Sequence, residues 1–298
     1  GECLKKLGAQ PLGEALCVLF GISDDMQSRS LVSKVPVTGF GIPCIYPQIP
    51  GIPPYHNNAV WPFVQSYWAL ASAKAGNEGS VLGSIAAIYR PAAMFLTNKE
   101  NFVAATGDYA GTQINSDNML WSLSGSIALV HKILFGIDFR PDSLAFHPFV
   151  PQTLRGKRSL TGFKYRNMVL DIETEGYGDR VLNFSVDGIA GNTYSIPASL
   201  TGKHFVSIVL GGFTETLAGI NCCDVVAPPE TPLVKYRNGK LHWDAVENAT
   251  EYIVLKNGKV IAQTSACFYS VVIKGYSEYQ VIASTKNQLQ SFASEPVV

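Results

Sequence analysis

The sequence lacks net charge, long apolar stretches and regular cysteine spacing, and each absence narrows the class of protein. Lysine and arginine together number 23, and so do aspartate and glutamate. No basic surface is therefore predicted, and we expect no nucleic-acid partner. No uninterrupted apolar stretch is long enough to cross a bilayer, so we expect no membrane span. The six cysteines show none of the spacings of a zinc site, which predicts free thiols and no metal.

Length and apolar residues are what the sequence does have. Its 298 residues exceed one ordinary hydrophobic core, so two or three domains are expected. Hydrophobic residues make up 47% and charged residues 15%, which is typical of a well-buried globular protein. The first residue is glycine rather than methionine, which indicates a trimmed start and leaves any targeting signal out of view.

Hydrophobic periodicity divides the chain into three parts. In the first, apolar residues recur at three- and four-residue intervals, as in successive helical hairpins. From Phe139 short alternating runs with Gly and Asn turns predict an antiparallel β-sandwich. The proline-rich "VVAPPETP" then leads into evenly spaced short strands with Asn-Gly turns. The predicted domains are 1–138, 139–225 and 226–298.

Three predicted helices surround the polar loops of the first domain. The first is expected to begin after Asn58 as N-cap, with Pro62 in its first turn, and to end at Gly76. The second spans about residues 80–96. The third is predicted to begin at a Ser116 or Asp117 cap and to end at Gly136. Such caps would place the preceding loops at one end of the helical layer.

Two loops carry the candidate functional groups. "IPPYHNN" precedes the first helix, and "TNKENFVAATGDYAGTQINSDNMLW" precedes the third. Glycoside hydrolysis needs two carboxyl groups at the scissile bond, with aromatic or amide groups to hold the ring. From the residues alone a plainer interpretation is favoured, with Glu100 and Asp108 as solvated loop carboxylates, Asp117 as a helix cap and Trp121 as a core residue.

Three segments carry a family resemblance over roughly residues 50–150. "PYHNNAVWPFVQSYWALASAKAGN" resembles a hairpin of the six-hairpin (α/α)6-barrel glycosidases. "KENFVAATGDYAGTQINSDNMLWSLSGSIALV" is similar to a segment of trehalases and mannosyl-oligosaccharide glucosidases, and "LFGIDFRPDSLAFHPFVP" is similar to the exit from such barrels into a β-sandwich. In the last domain, "HWDAV", "ATEYIV" and "SEYQVIA" resemble a fibronectin type III module.

The resemblance implies a multidomain α + β protein. Its parts would be a partial (α/α)6 helical-hairpin barrel, an antiparallel β-sandwich and a small fibronectin type III-like sandwich. A tail of that kind suggests a periplasmic, cell-surface or secreted protein.

The resemblance also implies roles for residues. Glu100 would be the base of an inverting hydrolysis, activating a water. The pocket for an oligosaccharide or glycan would be lined by Tyr55, His56, Asn57 and Trp61, with Trp121 facing the sugar. No metal or organic cofactor is implied. Two residues depart from the motif, because Asn58 stands in place of glycine and Phe102 in place of tyrosine.

The second carboxyl group is missing from the expected place. The general acid of these families lies upstream of the Tyr-His-Asn hairpin, where this sequence offers four carboxylates in no matching context: Glu2, Glu14, Asp24 and Asp25. Only about five of twelve barrel helices are recognisable. We therefore expect the C-terminal portion of an inverting glycoside hydrolase, inactive alone, that self-associates or pairs with a missing N-terminal barrel half.

Two alternatives stay open at this stage. The chain could instead be a non-catalytic carbohydrate-binding or scaffolding protein derived from such a glycosidase. A phosphorylase of the same superfold would need a basic phosphate pocket, and no basic cluster is found around residues 100–118.

Overall fold

The structure, a computed structural model, describes residues 8–215, 219–271 and 275–298. It forms two compact units. The first combines the described residues up to Tyr46 with Pro53–Asp224, and the second combines Pro47–Ile52 with Val225–Val298. The predicted division into three domains stays a prediction. Among the described residues, none of the helices has the length and apolarity that crossing a bilayer requires.

Five α-helices occur among the described residues, all in the first unit. They are α1 (Pro11–Leu19), α2 (Asp25–Lys34), α3 (Pro62–Lys74), α4 (Glu78–Phe95) and α5 (Leu120–Ala128), the last continued by a π-helical segment, Leu129–Leu134. Helix α3 is the centre of this layer, because α1, α4 and α5 all pack against it. Its buried residues lie on several faces, and they include Val64, Trp68 and Ala71.

The predicted partial (α/α)6 barrel is wrong. Among the described residues the structure is richer in strands than in helices, at 32% against 24%, and four helices around the central α3 do not make half of a ring of hairpins. The prediction failed because an apolar stripe at helical spacing identifies the buried face of a helix. It does not say whether the partners of that face close into a ring.

Two of the predicted helix caps are also wrong. Trp61, not Asn58, precedes the first residue of α3, and its side chain makes no capping bond. Pro62 needs no hydrogen-bond partner there, since the first backbone N–H groups of a helix are free in any case. Met119 rather than Ser116 or Asp117 precedes α5, again without a side-chain cap.

Small and hydroxylic side chains let the helices approach α3 closely. Trp68 Nε1 donates to Ser80 Oγ at 3.0 Å, and Gln65 Nε2 donates to Ser84 Oγ at 2.8 Å. On α5, a Cβ added at Gly125 would lie 2.8 Å from the Ser66 Cβ. The polar groups buried between α3 and α4 are thus paired, as buried polar groups generally are.

The rest of the first unit is a β-sandwich. Its five-stranded sheet consists, in spatial order, of β6 (Gly156–Tyr165), β7 (Met168–Gly176), β11 (Gly202–Leu210), β8 (Val181–Val186) and β9 (Ile189–Ala190), and a three-stranded sheet consists of β10 (Ser195–Pro197), β5 (Ser143–Phe146) and β4 (Ile137–Phe139). Strands β7 and β11 pair in parallel, so the predicted antiparallel arrangement is wrong for the centre of this sheet. Buried apolar residues from both sheets form one core, for example Leu144 and Phe146 from one and Leu170 and Val206 from the other. The other strands described in the first unit are β1 (Pro36–Val37), β2 (Ala59–Val60), β3 (Phe102–Val103) and β12 (Asn221–Cys222).

Gly136 connects the helical layer to the sandwich. It has φ +64°, and a Cβ there would lie 2.0 Å from the carbonyl carbon of His147. The His147 N–H donates to the Gly136 carbonyl at 2.7 Å. Only glycine combines this backbone conformation with so close a crossing of the chain.

The second unit is a smaller sandwich of two three-stranded sheets, β13-β14-β17 and β16-β15-β18. Between them lies a core that includes Trp243, Tyr252, Val254 and Tyr279. The resemblance to a fibronectin type III module stays a prediction. The strands of the second unit are β13 (Lys235–Arg237), β14 (Lys240–His242), β15 (Glu251–Lys256), β16 (Lys259–Thr264), β17 (Phe268–Ser270) and β18 (Tyr279–Ser284).

Candidate functional site

A very short antiparallel ladder brings the two polar loops together. In it Ala59 of β2 pairs with Val103 of β3, and Val60 pairs with Phe102. Just outside the ladder, Ala104 N–H donates to the Asn58 carbonyl at 2.9 Å. The residues that flank the two strands, among them Trp61 and Glu100, are thereby held in one neighbourhood.

Asn58 bends the chain into β2. Its φ is +48°, in the left-handed region that few residues other than glycine and asparagine adopt without strain. The position where the related motif has glycine therefore needs a residue that tolerates this conformation. Asparagine meets that need, so the departure from the motif leaves the backbone path intact.

Six rings meet at the amino end of α3, and we call them the aromatic cluster. His56 stacks on Trp61 with ring centroids 4.9 Å apart and an interplanar angle of 7°, and Phe63 stacks on Trp121 at 4.9 Å and 18°. Edge-to-face contacts join the two stacks, with Trp61 and Trp121 centroids 5.7 Å apart. The members are Tyr55, His56, Trp61, Phe63, Tyr67 and Trp121.

Glu100 is a buried carboxylate beside this cluster, with 7% of its surface exposed. Tyr55 Oη donates to Glu100 Oε1 at 3.4 Å. Burial, and then the negative charge of Glu100, raise the pKa of the Tyr55 phenol above its ordinary value. Tyr55 therefore keeps its proton at neutral pH and stays a donor to the carboxylate.

The predicted pocket residues differ in what they offer to a ligand. Trp61 is 4% exposed, and its Nε1 donates to the Tyr55 carbonyl at 2.6 Å, so it mainly fixes the loop. Trp121 is 41% exposed and His56 is exposed as well, so both present surface to solvent. Asn57 is buried, and its carbonyl accepts from the Tyr55 N–H at 3.1 Å. The structure thus brings all six predicted residues into one region.

An amide network holds the loop that carries Glu100. Asn115 Nδ2 donates to the Asn101 carbonyl at 2.7 Å and to Thr112 Oγ1 at 3.0 Å, and Asn101 Nδ2 donates to the Ile114 carbonyl at 3.1 Å. The Glu100 N–H donates to the Ser116 carbonyl at 2.9 Å. These bonds fix the backbone on both sides of the carboxylate.

The other two carboxylates of this loop have local partners. Asp108 accepts from the Ala110 N–H at 3.0 Å, as a turn residue does. Asp117 forms an ion pair with Lys99 at 2.6 Å. Lys99 also lies 3.9 Å from the centroid of the Tyr109 ring. Among the described residues there is no group of three or more His, Cys, Asp or Glu side chains that could hold a metal ion.

Phe63 and Tyr67 belong to the aromatic cluster although neither is among the site residues predicted from the sequence. Their spacing of four residues places two aromatic rings on the same side of a helix. Next to the Trp61-Pro62 start of α3, that spacing was the available signal.

Chemically, the site combines one buried carboxylate, a phenol that donates to it, and half-exposed aromatic faces. Such a set can accept hydrogen bonds from hydroxyl groups and pack against an apolar ring face. No family model matches the chain, and a search of curated proteins finds no relative.

Proposed function

We propose that the aromatic cluster and Glu100 bind a carbohydrate, and that the chain is a portion of an inverting glycoside hydrolase. The observation that carries the proposal is the hydrogen bond from Tyr55 to the buried Glu100, made beside the half-exposed Trp121. The resemblance of the Glu100 loop to a segment of trehalases and mannosyl-oligosaccharide glucosidases supports the same function.

A sugar ring suits the two kinds of surface that this site presents. One face of the Trp121 ring stacks on Phe63, so the exposed part of Trp121 is available to the C–H groups of a sugar. The Glu100 carboxylate can accept hydrogen bonds from sugar hydroxyl groups or from a water. A flat apolar wall beside an acceptor is a common arrangement in ligand pockets.

In the proposed reaction, Glu100 removes a proton from a water, and that water attacks the anomeric carbon from the face opposite the leaving group. Tyr55 keeps one carboxylate oxygen oriented while the other faces the water. An inverting reaction also needs an acid to protonate the leaving oxygen, with the carboxyl groups roughly 6.5–9.5 Å apart. In our proposal that acid lies outside this chain.

One observation favours a second candidate, a non-catalytic carbohydrate-binding protein. Asp108 and Asp117, the other carboxylates of the Glu100 loop, are engaged by Ala110 and Lys99. Upstream, Asp24 accepts from the Gln27 N–H at 2.7 Å as the cap of α2. A chain whose nearby carboxylates are structural can bind a sugar without cleaving it.

Binding is the first test. The chain is titrated with a panel of mono- and disaccharides by calorimetry, and the same titration is run on Trp121→Ala and Leu123→Ala. Both residues lie on α5 and are 41% exposed, so the pair is matched. An aromatic contact contributes about 1 kcal/mol, so Trp121→Ala should weaken binding about five-fold and Leu123→Ala should not. Absence of binding, or equal effects of the two variants, contradicts the proposal.

Hydrolysis separates the two candidates. Aryl glycosides and α- and β-linked disaccharides are incubated with the chain and with Glu100→Gln. We expect binding in both and enzyme-like turnover in neither, since positioned proton transfer contributes about 10²–10⁴-fold and one of its partners is lacking. Turnover that Glu100→Gln abolishes would mean that the chain supplies its own acid. Turnover that appears only when a separate domain carrying the general acid is added would support the hydrolase over the binding protein.

A further inference from the structure

A cleft lies at the carboxyl end of helix α3, away from the aromatic cluster. Its volume is about 760 Å³, and its walls come from the carboxyl ends of α1 and α3, the π-helical segment, β4, the residues after β5 and the residues around Asp179. Small-molecule sites typically occupy roughly 300–1,000 Å³. Because α3 has 13 residues and a helix rises 1.5 Å per residue, the cleft lies roughly 18 Å along the helix from Trp61.

Two lysines at this cleft have no carboxylate partner among the described residues. Lys74 Nζ donates to the Val18 carbonyl at 2.9 Å and to the Leu19 carbonyl at 3.1 Å. Lys132 Nζ lies 4.9 Å from the centroid of the Phe139 ring. Lys74 thus bonds the last carbonyls of α1, and among the described residues no carboxylate neutralises either ammonium group.

The two carboxylates of the cleft are already engaged elsewhere. Asp138 Oδ2 pairs with Arg140 Nε at 3.0 Å, and Asp179 Oδ1 accepts from the Thr214 N–H at 2.6 Å. The Arg140 guanidinium also donates to His147 Nε2 at 2.9 Å. An arginine can only donate, so Nε2 is the acceptor and the proton of the neutral imidazole lies on Nδ1. Arg140 itself lies outside the lining of the cleft, which carries two lysines and two aspartates, and a donor group engages each aspartate.

The cleft also has an apolar floor and a residue in a strained backbone conformation. Leu70 and Ala73 of α3 are partly buried at its floor. Tyr194, which also lines the cleft, has φ +46°, and its carbonyl accepts from the Phe146 N–H at 2.9 Å. A bulky residue in the left-handed region is unusual, and such strain concentrates at functional sites.

We infer that this cleft is a ligand site for an organic anion with an apolar body, independent of the proposed carbohydrate site. The anionic group would lie between Lys74 and Lys132, and the apolar body would pack on Leu70 and Ala73. The apolar floor disfavours a bare inorganic anion.

The experiment compares two probes that differ in charge but not in shape. Naphthalene-2-carboxylate and neutral naphthalene-2-carboxamide are titrated into the chain, and backbone amide shifts are followed by NMR. We expect saturable shifts with the carboxylate in residues 70–74, 132–138 and 179–181, and at least three-fold weaker binding of the carboxamide. Equal binding of the two probes, shifts centred elsewhere, or no saturable shift would overturn the inference.

Matched lysine variants test the charge. Lys132→Ala should weaken carboxylate binding about two- to five-fold, the range of a solvent-exposed ion pair, and Lys132→Arg should restore it. Lys164→Ala, at an exposed lysine of β6 outside the cleft, is the control and should leave binding unchanged. The inference fails if Lys132→Ala and Lys164→Ala give the same affinity. Because Lys132 is exposed, its replacement does not disturb the core.

Discussion

The two ends of helix α3 present contrasting chemistry. At the amino end, stacked aromatic rings lie beside one buried carboxylate. At the carboxyl end, an apolar floor lies beside lysines that lack a carboxylate partner among the described residues. The contrast teaches that a helix buried on several sides can position two unlike surfaces at its ends. Each end can be altered separately by substitution.

The largest effect on stability is expected at Gly136, which lines the cleft at the carboxyl end of α3. Gly136→Ala would place a Cβ 2.0 Å from the His147 carbonyl carbon, at φ +64°. Backbone strain and overpacking together should lower the free energy of unfolding by about 3 kcal/mol or more. The measurement is urea denaturation.

Gly162→Ala is the matched control for that variant. Gly162 has φ +68° with nothing within 4 Å of an added Cβ. It should lose only about 1 kcal/mol, the cost of the backbone conformation. Equal losses at the two glycines would contradict the steric explanation.

A smaller effect is expected at the amino end. Trp121→Ala removes the stack on Phe63 and the contact with Trp61, so the free energy of unfolding should fall by about 1–2 kcal/mol. Leu123→Ala, equally exposed, should lose no more than about 0.5 kcal/mol. Thermal unfolding of both variants measures the difference, and a loss at Leu123 as large as at Trp121 would mean that the stack does not stabilise this end.

A histidine–aspartate pair in the sandwich makes the free energy of unfolding depend on pH. This dependence is separate from both ends of α3. His204 Nδ1 lies 2.7 Å from Asp187 Oδ2. This bond is the main cause that raises the pKa of His204 from 6.5 and lowers that of Asp187 from 3.8. The His204 contribution is complete below pH 6.5 and is lost as pH rises through its raised pKa. The Asp187 contribution is complete above pH 3.8 and is lost as pH falls through its lowered pKa.

Between these two values the pair therefore stabilises the fold most. Asp187→Asn should cost more stability at pH 5.5 than at pH 9, and NMR titration should show a lower His204 pKa in that variant. A His204 pKa unchanged by Asp187→Asn would show that the aspartate does not cause the shift.

The smallest effect on stability is expected at the ion pair between Asp117 and Lys99, in the loop that carries Glu100. Asp117→Asn removes the ion pair with Lys99. The Asp117 side chain is 54% exposed and the Lys99 side chain is 14% exposed. We expect a loss of about 0.5 kcal/mol or less, and less still in high salt. Chemical denaturation at two salt concentrations measures it. A loss well above 1 kcal/mol would indicate that the pair holds the Glu100 loop in place.

The β-sandwich predicted from alternating residues is confirmed, because alternation follows from one buried face, whereas the fold class as a whole was wrong. Pro62 stands at the start of α3 as expected, and the strands of the sandwich begin at Ile137, close to Phe139, after three two-residue strands in the helical part. The arrangement of the helices could not be predicted from the same evidence, because periodicity identifies the buried face of each helix and not which helices pack together. The helix starts were missed because Asn58 serves a left-handed bend and Met119 precedes α5 without a side-chain bond.

The candidate site is predictable only in part. Tyr55, His56 and Trp61 are neighbours in sequence, and their contacts are local. The contact with Glu100 depends on β2 and β3, each of two residues, which no periodic pattern reveals. The cleft was missed because Lys74 and Lys132 are far apart in sequence and converge only through packing.

The brief pairing of β2 with β3 has a consequence for the order of folding. Tyr55 and Glu100 are 45 residues apart in sequence, with helices α3 and α4 between them. A two-residue ladder contributes too little to close so long a loop by itself, since loop closure costs entropy before distant contacts form. We therefore expect helices α3 and α4 to pack first and the Tyr55–Glu100 contact to form late. Formation of the Tyr55–Glu100 contact would then report the completion of folding in this unit.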